Sequence, residues 1–260
     1  MNTSELRDGL EARQVWIYFA AVIVATAIGF VIPGTAVLES AINPALALML
    51  FVTFLQVPVA ALGRALQELR FMGALLAVNF IAVPLLVLGL VQFLPADPLI
   101  RLGVLMVLLC PCIDYVVTFA HLGRADARLL LASTPVLLIA QMAPLPIYLR
   151  LFIVVAAVMP QLGQTLDRTL SVVPVYVAFS VLAPLIGWAV SRLAGLTPEA
   201  GRAVAFSAGT RNSLVVLPLA LVVPGAIPLV PAIIVTQTLI ELLAELVYIR
   251  GIPGLGRRSA

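Results

Sequence analysis

The chain has 260 residues, of which 63% are hydrophobic and 10% charged, with a mean hydropathy of +1.17. A soluble domain carries about 25% charged residues. These values exclude an ordinary soluble enzyme, a nucleic-acid binder and a disordered chain, and leave a polytopic membrane protein. All 15 basic residues are arginine, and the net charge of +3 comes from arginines spread between apolar runs. Membrane topology accounts for that distribution without any nucleic-acid partner.

Taken in chain order, Met1–Gln14 is polar and charged. The apolar run Val15–Ile32 follows, long enough to cross about 30 Å of hydrocarbon. It reads as a retained first membrane helix rather than a signal peptide. The second span is Ile42–Leu62. The third, Phe71–Phe93, carries Asn79 five residues before Pro84. The fourth, Leu99–His121, is interrupted at Cys110-Pro111-Cys112. Those two cysteines are too close in sequence to staple distant segments. A fifth run starts near Leu129 and reaches toward Val158, with Ser133 and Thr134 opening it before Pro135. The sixth is Ser171–Leu193, and the seventh, Arg202–Val223, is interrupted near Gly209-Thr210-Arg211-Asn212. The eighth, Ile227–Ile249, places Gln237 and Glu241 four apart on one face, which Glu245 extends. The expected fold class is an all-α polytopic membrane protein of about eight spans.

Arginine counting orients the spans. With the N-terminus inside, eleven arginines lie on the cytoplasmic side and three, Arg101, Arg150 and Arg168, on the outer side. That is a positive-inside bias with both termini cytoplasmic. Arg211 is left over, inside a span.

Sliding the chain by 100 positions pairs Pro84-Leu85 with Pro184-Leu185, Pro111-Cys112 with Arg211-Asn212, and Tyr148-Leu149-Arg150 with Tyr248-Ile249-Arg250. An odd number of spans separates corresponding helices, so the two copies lie in opposite senses. This is the pattern of inverted-repeat transporters. The expected organisation is one transmembrane transporter domain over residues 1–260. A first core repeat covers 71–153 and a second 171–250. Panel helices occupy 15–62, with no counterpart before the second repeat.

Irregular backbone inside a bilayer is tolerated where it is buried in protein or lines a cavity, and half-helix ends offer free N–H and C=O groups. The two interrupted spans therefore point to a midplane binding site. Asp114 sits mid-span beside the first break, and intramembrane carboxylates are functional by default. Arg211 keeps its charge in proteins. It needs an acid, backbone carbonyls or an anionic substrate as counter-charge, and Asp114 is the expected partner. Cys112 is a soft ligand; a small hydrophobe is the bland reading of a cysteine there. Asn79, Ser133, Thr134 and Gln237 read equally as interhelical hydrogen-bonders. Glu241 carries more weight because it ionises far from either helix end. His121, near a span end, reads as interfacial.

The segment from Pro111-Cys112-Ile113-Asp114-Tyr115 to Phe119 resembles the fourth-helix Pro-Cys motif of the arsenical-resistance (arsenite efflux) permeases, a family of the bile acid:sodium symporter superfamily. Asn79 to Pro84 is similar to that superfamily's third helix, and Ala205–Ser213 to its ninth, which carries an Asn at its break. The resemblance implies a panel domain against a core domain, two crossing broken helices, and arsenite efflux with Cys112 as the thiol. Leu214 stands where those permeases carry an acid, Arg211 where they usually have Asn, and Asp114 where they usually have a small residue. The family has ten spans. Two helices are missing here, with the join near Phe152–Val158, so the chain is a natural short form, needs a second protomer, or is inactive.

The leading expectation is a secondary transporter that is not an enzyme, in the plasma or inner membrane, with neither metal nor cofactor beyond coupling to protons or sodium. Its substrate is a small inorganic or organic anion or a metalloid. The expected substrate-binding residues are Cys112, Asp114, Arg211, Asn212 and Asn79. The expected ion-coupling residues are Asp114, Glu241, Ser133, Thr134 and Gln237. The alternatives are a sodium-coupled organic-anion symporter with Arg211 on the anion, and a non-transporting membrane scaffold or degenerate permease relative.

Overall fold

Turn chemistry fixes where the helices begin. The computed structural model describes residues 20, 68–113, 115–142, 169–223 and 225–256. The chain divides into two compact units, Met1–Met49 and Leu50–Ala260, and the elements below belong to the second. The expected first and second spans and the join near Phe152–Val158 lie outside the described residues. The described part is helical, and its one extended pairing is an isolated bridge.

The third span is continuous over Leu69–Phe93. It comprises α1 (Leu69–Ala77), a π-helical turn (Val78–Ala82), α2 (Val83–Leu90) and a 3₁₀ turn (Val91–Phe93). The π turn has a cause in the sequence. Pro84 has no N–H and its ring crowds the carbonyl four residues earlier. The chain widens there, and Val83 N–H reaches back five residues to Val78 O. Asn79 lies in that turn.

The fourth span is two half-helices, α3 (Pro98–Leu108) and α4 (Val116–Leu122). The Asp97 side chain caps α3, accepting from Leu99 N at 2.9 Å and Ile100 N at 3.4 Å, with Pro98 at the first helical position. His121 is exposed in the last turn of α4. The fifth span begins at α5 (Ala127–Met142), whose first N–H groups are held by Asp126 Oδ1. That cap starts the helix earlier than the apolar run does. Ser133 and Thr134, expected to open the helix, stand inside it.

The sixth span is α6 (Val173–Leu193). The seventh is again split, into α7 (Pro198–Gly209) and α8 (Ser213–Val222). Thr197 caps α7 through Ala200 N with Pro198 next, which repeats the Asp97-Pro98 device 100 positions on. The eighth span is α9 (Leu229–Gly251), continued by a 3₁₀ turn.

Among the described residues, three helices are long and apolar enough to cross a membrane: Leu69–Phe93, Val173–Leu193 and Leu229–Gly254. The split spans fall below that length because each half is a few turns only. Apolar residues line their outer faces, for example Leu85 at 63% exposure and Val247 at 66%. Inside, every residue of α7 from Ala200 to Gly209 is buried. Small residues let α6 close on it. A Cβ on Gly187 would come within 2.7 Å of Ala208 Cβ and 3.0 Å of the Ala205 backbone. Such stripes of small residues are how helices approach in lipid, where apolar burial gives no driving force between them.

At one end of the bundle, Arg202 joins three chain segments. Its guanidinium donates to Arg124 O at 3.0 Å and Leu255 O at 3.2 Å, and pairs with Glu199 at 2.9 Å. The α4–α5 turn, the start of α7 and the end of α9 therefore lie together. Arginine counting puts those three on one side of the membrane.

Candidate functional site

The two breaks meet. Pro111 and Arg211 form an antiparallel bridge. On either side of it, Cys112 N–H donates to Thr210 O at 3.1 Å and Asn212 N–H to Cys110 O at 2.8 Å. The interruptions of the fourth and seventh spans thus satisfy each other's backbone, which is what buried irregular backbone requires. Cys110 and Cys112 are both buried.

Arg211 is fully buried at this crossing. Nη2 donates to Asn79 Oδ1 at 2.9 Å, to Ser207 O, and to Ala208 O at 2.9 Å; Nη1 donates to Leu108 O at 3.4 Å. The Phe179 ring lies 5.6 Å from the guanidinium carbon, within cation–π range. Its described partners are thus carbonyl oxygens and an amide. Asp114, the expected partner, lies outside the described residues. Asn79 also donates from Nδ2 to Leu75 O at 3.0 Å and Ser207 Oγ at 2.9 Å, tying the π turn to α7.

Glu241 sits on the backbone side of the same residue. Its Oε2 accepts from Arg211 N–H at 2.8 Å and from Gln237 Nε2, and its Oε1 lies 2.5 Å from Tyr115 Oη. The Tyr115 hydroxyl also lies 3.0 Å from Arg211 O. One turn on, Glu245 Oε1 is 2.6 Å from Thr210 Oγ1, while its Oε2 has no partner. Glu241, Glu245 and Gln237 are all buried, so the carboxylate face of α9 is turned onto the crossing.

At the start of α8, the Asn212 side chain caps the helix, accepting from Val215 N at 3.2 Å. Three consecutive buried groups there have donor atoms without a partner: Arg211 Nε, Asn212 Nδ2 and Ser213 Oγ. They stand at the positive end of a ten-residue helix.

Of the expected site residues, Cys112, Arg211, Asn212, Asn79, Glu241 and Gln237 come together at the crossing. Thr134 reaches it, with Oγ1 at 3.4 Å from Ile113 O as well as 3.2 Å from Leu130 O. Ser133 does not: its hydroxyl bonds Leu130 O in its own helix at 2.8 Å. Tyr115, Ser207, Thr210 and Phe179 are part of the site and were not singled out by sequence. Tyr115, Ser207 and Thr210 offer one signal, a hydroxyl within a few residues of a break, and Phe179, in the middle of α6, offers none.

The sodium bile acid symporter family model matches residues 43–191, more than half of the chain. The chain belongs to the sodium bile acid symporter family. No curated protein matches it. Membership of this symporter family and the apolar helices make the chain a multi-pass secondary transporter in a lipid bilayer, with the crossing in its interior. Members of this family are transporters rather than enzymes.

Proposed function

We propose that this member of the sodium bile acid symporter family works by alternating access and exports arsenite, with its binding site at the crossing of the two broken spans. The observation that carries this reading is the set of unpartnered buried donors at the start of α8, Arg211 Nε, Asn212 Nδ2 and Ser213 Oγ. They stand one backbone hydrogen bond away from the Cys110-Pro111-Cys112 segment. Trivalent arsenic is thiophilic, and soft sulfur ligands select soft centres. Its hydroxyl oxygens would accept from the three donors, which otherwise carry a desolvation penalty. Cys112, Asp114, Arg211, Asn212 and Asn79 are the proposed substrate residues. Asp114, Glu241, Gln237 and Thr134 are the proposed coupling residues; the helix-internal bond of Ser133 makes it the weakest of that set.

A sodium-coupled organic-anion symporter is the second reading. The positive end of α8 favours it. It ranks behind because both Nη groups of Arg211 are taken up by carbonyls and Asn79. No two-pronged fork is left for a carboxylate or sulfonate. A non-transporting relative is the third reading.

The core repeats 71–153 and 171–250 are supported by the Pro111–Arg211 bridge and by the paired Asp97-Pro98 and Thr197-Pro198 caps, each 100 positions apart. The proposed location is the plasma or inner membrane with both termini cytoplasmic. Arginine counting supports the orientation, and the Arg202 cluster supports only that the α4–α5 turn, the start of α7 and the end of α9 share one side. A homo-oligomer would supply the panel helices that the second repeat lacks.

Expression in a host stripped of its arsenite pumps tests the reading. Increased resistance and lowered arsenic accumulation are expected. An unchanged host, with the protein present in its membrane, would remove arsenite as the substrate.

A further inference from the structure

Three of the four oxygens around the Arg211 guanidinium are backbone carbonyls at the ends of two half-helices. Leu108 is the last residue of α3, and Ser207 and Ala208 belong to the last turn of α7. Last-turn carbonyls have no partner within their own helix, and they carry the negative end of the helix dipole. Two such ends converge here, joined by Asn79 Oδ1 and faced by the Phe179 ring. An oxygen cage of this composition, in protein of low polarity, calls for a positive charge. Unwound carbonyls and half-helix C-termini are what hold coupling cations in broken-helix transporters.

We infer that Arg211 is a tethered cation that permanently fills the cation-holding cage of the crossing, so that this family member moves its solute without sodium. The charge comes with the chain and neutralises the two helix ends in every conformation. The guanidinium stands where a dissolved cation would have to sit, and each of the four oxygens accepts from it. Arg211 thereby divides its labour. Its Nη atoms hold the cage together, while Nε, which has no partner, is left for the proposed solute. Coupling is left to the residues proposed for it above, Asp114, Glu241, Gln237 and Thr134. The inference rests on the transporter reading for its consequence, not for its test.

The test uses the purified full-length protein and its melting temperature. At equal ionic strength, the wild type should melt at the same temperature in sodium chloride and in choline chloride. Arg211→Ala, purified with guanidinium present, should lose stability when guanidinium is removed. It should regain it in a saturable way at sub-denaturing guanidinium concentrations. Urea, which has the same planar shape without the charge, should not restore it. In vesicles, replacing sodium by choline should leave wild-type uptake or efflux unchanged. The inference is overturned if the wild type is stabilised by sodium over choline, or if its transport falls when sodium is replaced. It is equally overturned if the folded variant ignores guanidinium or responds as well to urea. Should Arg211→Ala not fold, the wild-type sodium comparison decides. Should no transport be found at all, the melting comparison still decides.

Discussion

Pro111 and Arg211 stand opposite each other, 100 positions apart in sequence, in a backbone bridge whose neighbours exchange hydrogen bonds of 3.1 and 2.8 Å. Neither half-helix end is left to find water. Each break is the other's capping group, so a change at one is felt at the other.

Cys112 follows the proline and donates its N–H across the crossing, while Cys110 precedes it and offers its carbonyl. Two positions correspond to roughly 200° on a regular helix, so the two thiols should differ in role. Cys112→Ser is expected to abolish arsenite resistance in the pump-deficient host, and Cys110→Ser to retain it. Equal resistance in both variants would place the thiol chemistry elsewhere.

Glu241 receives Tyr115, Gln237 and the Arg211 N–H at once. Truncation to alanine strands two buried donors, Gln237 Nε2 and the Arg211 N–H, each costing about 1–3 kcal/mol, and leaves the Tyr115 hydroxyl with Arg211 O alone. Glu241→Ala should melt well below the wild type in detergent. Tyr115→Phe should lose about one such increment, and Glu241→Gln, which keeps an acceptor, should lie nearest the wild type. A Glu241→Ala melting temperature equal to that of Tyr115→Phe would mean that the carboxylate does not bind the cluster together.

Gly187 packs directly on the α7 backbone, and its added Cβ would meet Ala205 Cα at 3.0 Å and Val204 O at 3.0 Å. Backbone cannot rotate aside as a side-chain tip can. Gly187→Ala is therefore expected to destabilise by about 1–3 kcal/mol. Gly89→Ala, with nothing within 4 Å of its new methyl, should be neutral or stabilise by up to about 1 kcal/mol through helix propensity. Thermal melts of the two variants in the same detergent make the comparison.

Arg202 gathers Arg124, Glu199 and Leu255 at one end of the bundle. Arg124→Cys, Glu199→Cys and Leu255→Cys should all react with an impermeant maleimide from the cytoplasmic side. Arg101→Cys and Gly225→Cys should react from outside. Labelling of the first three from different sides would break the bundle end apart and end the inverted topology.

Much of the crossing is legible in the sequence because it violates its surroundings. An arginine inside a span is costly in lipid, and the glycine near it and the proline of the fourth span mark where helices break and freed backbone groups must be satisfied by protein. Asn79, Gln237 and Glu241 stand out in the same way. The partners of Arg211 are not legible. They are carbonyls of Leu108, Ser207 and Ala208, and every residue has a carbonyl; only the folded path brings these three together. Side-chain identity points to Asp114, which lies outside the described residues. Tyr115 and Phe179 look like ordinary aromatic residues of a membrane span until a charge is seen beside them. Ser133 is the reverse case, a polar residue in a span whose own helix satisfies it.

The widened turn at Val78–Ala82 sets the phase of the whole third span. Phe71, Leu75, Asn79, Val83, Val87 and Val91 follow one another in steps of four, and all six are buried. In a screw of constant α-helical pitch, each such step advances about 40°, and Val91 would end on the side opposite Phe71. The slower winding of the π turn takes up much of that drift and keeps the row on one side. Restoring the regular pitch with every residue kept would swing one half of the span against the other by roughly a quarter turn, turning the lipid-facing leucines Leu85 and Leu88 inward and pulling the Asn79 amide away from Ser207. Deleting one residue from the turn would restore the pitch and leave both halves in phase, because the turn winds back by about the rotation of one residue.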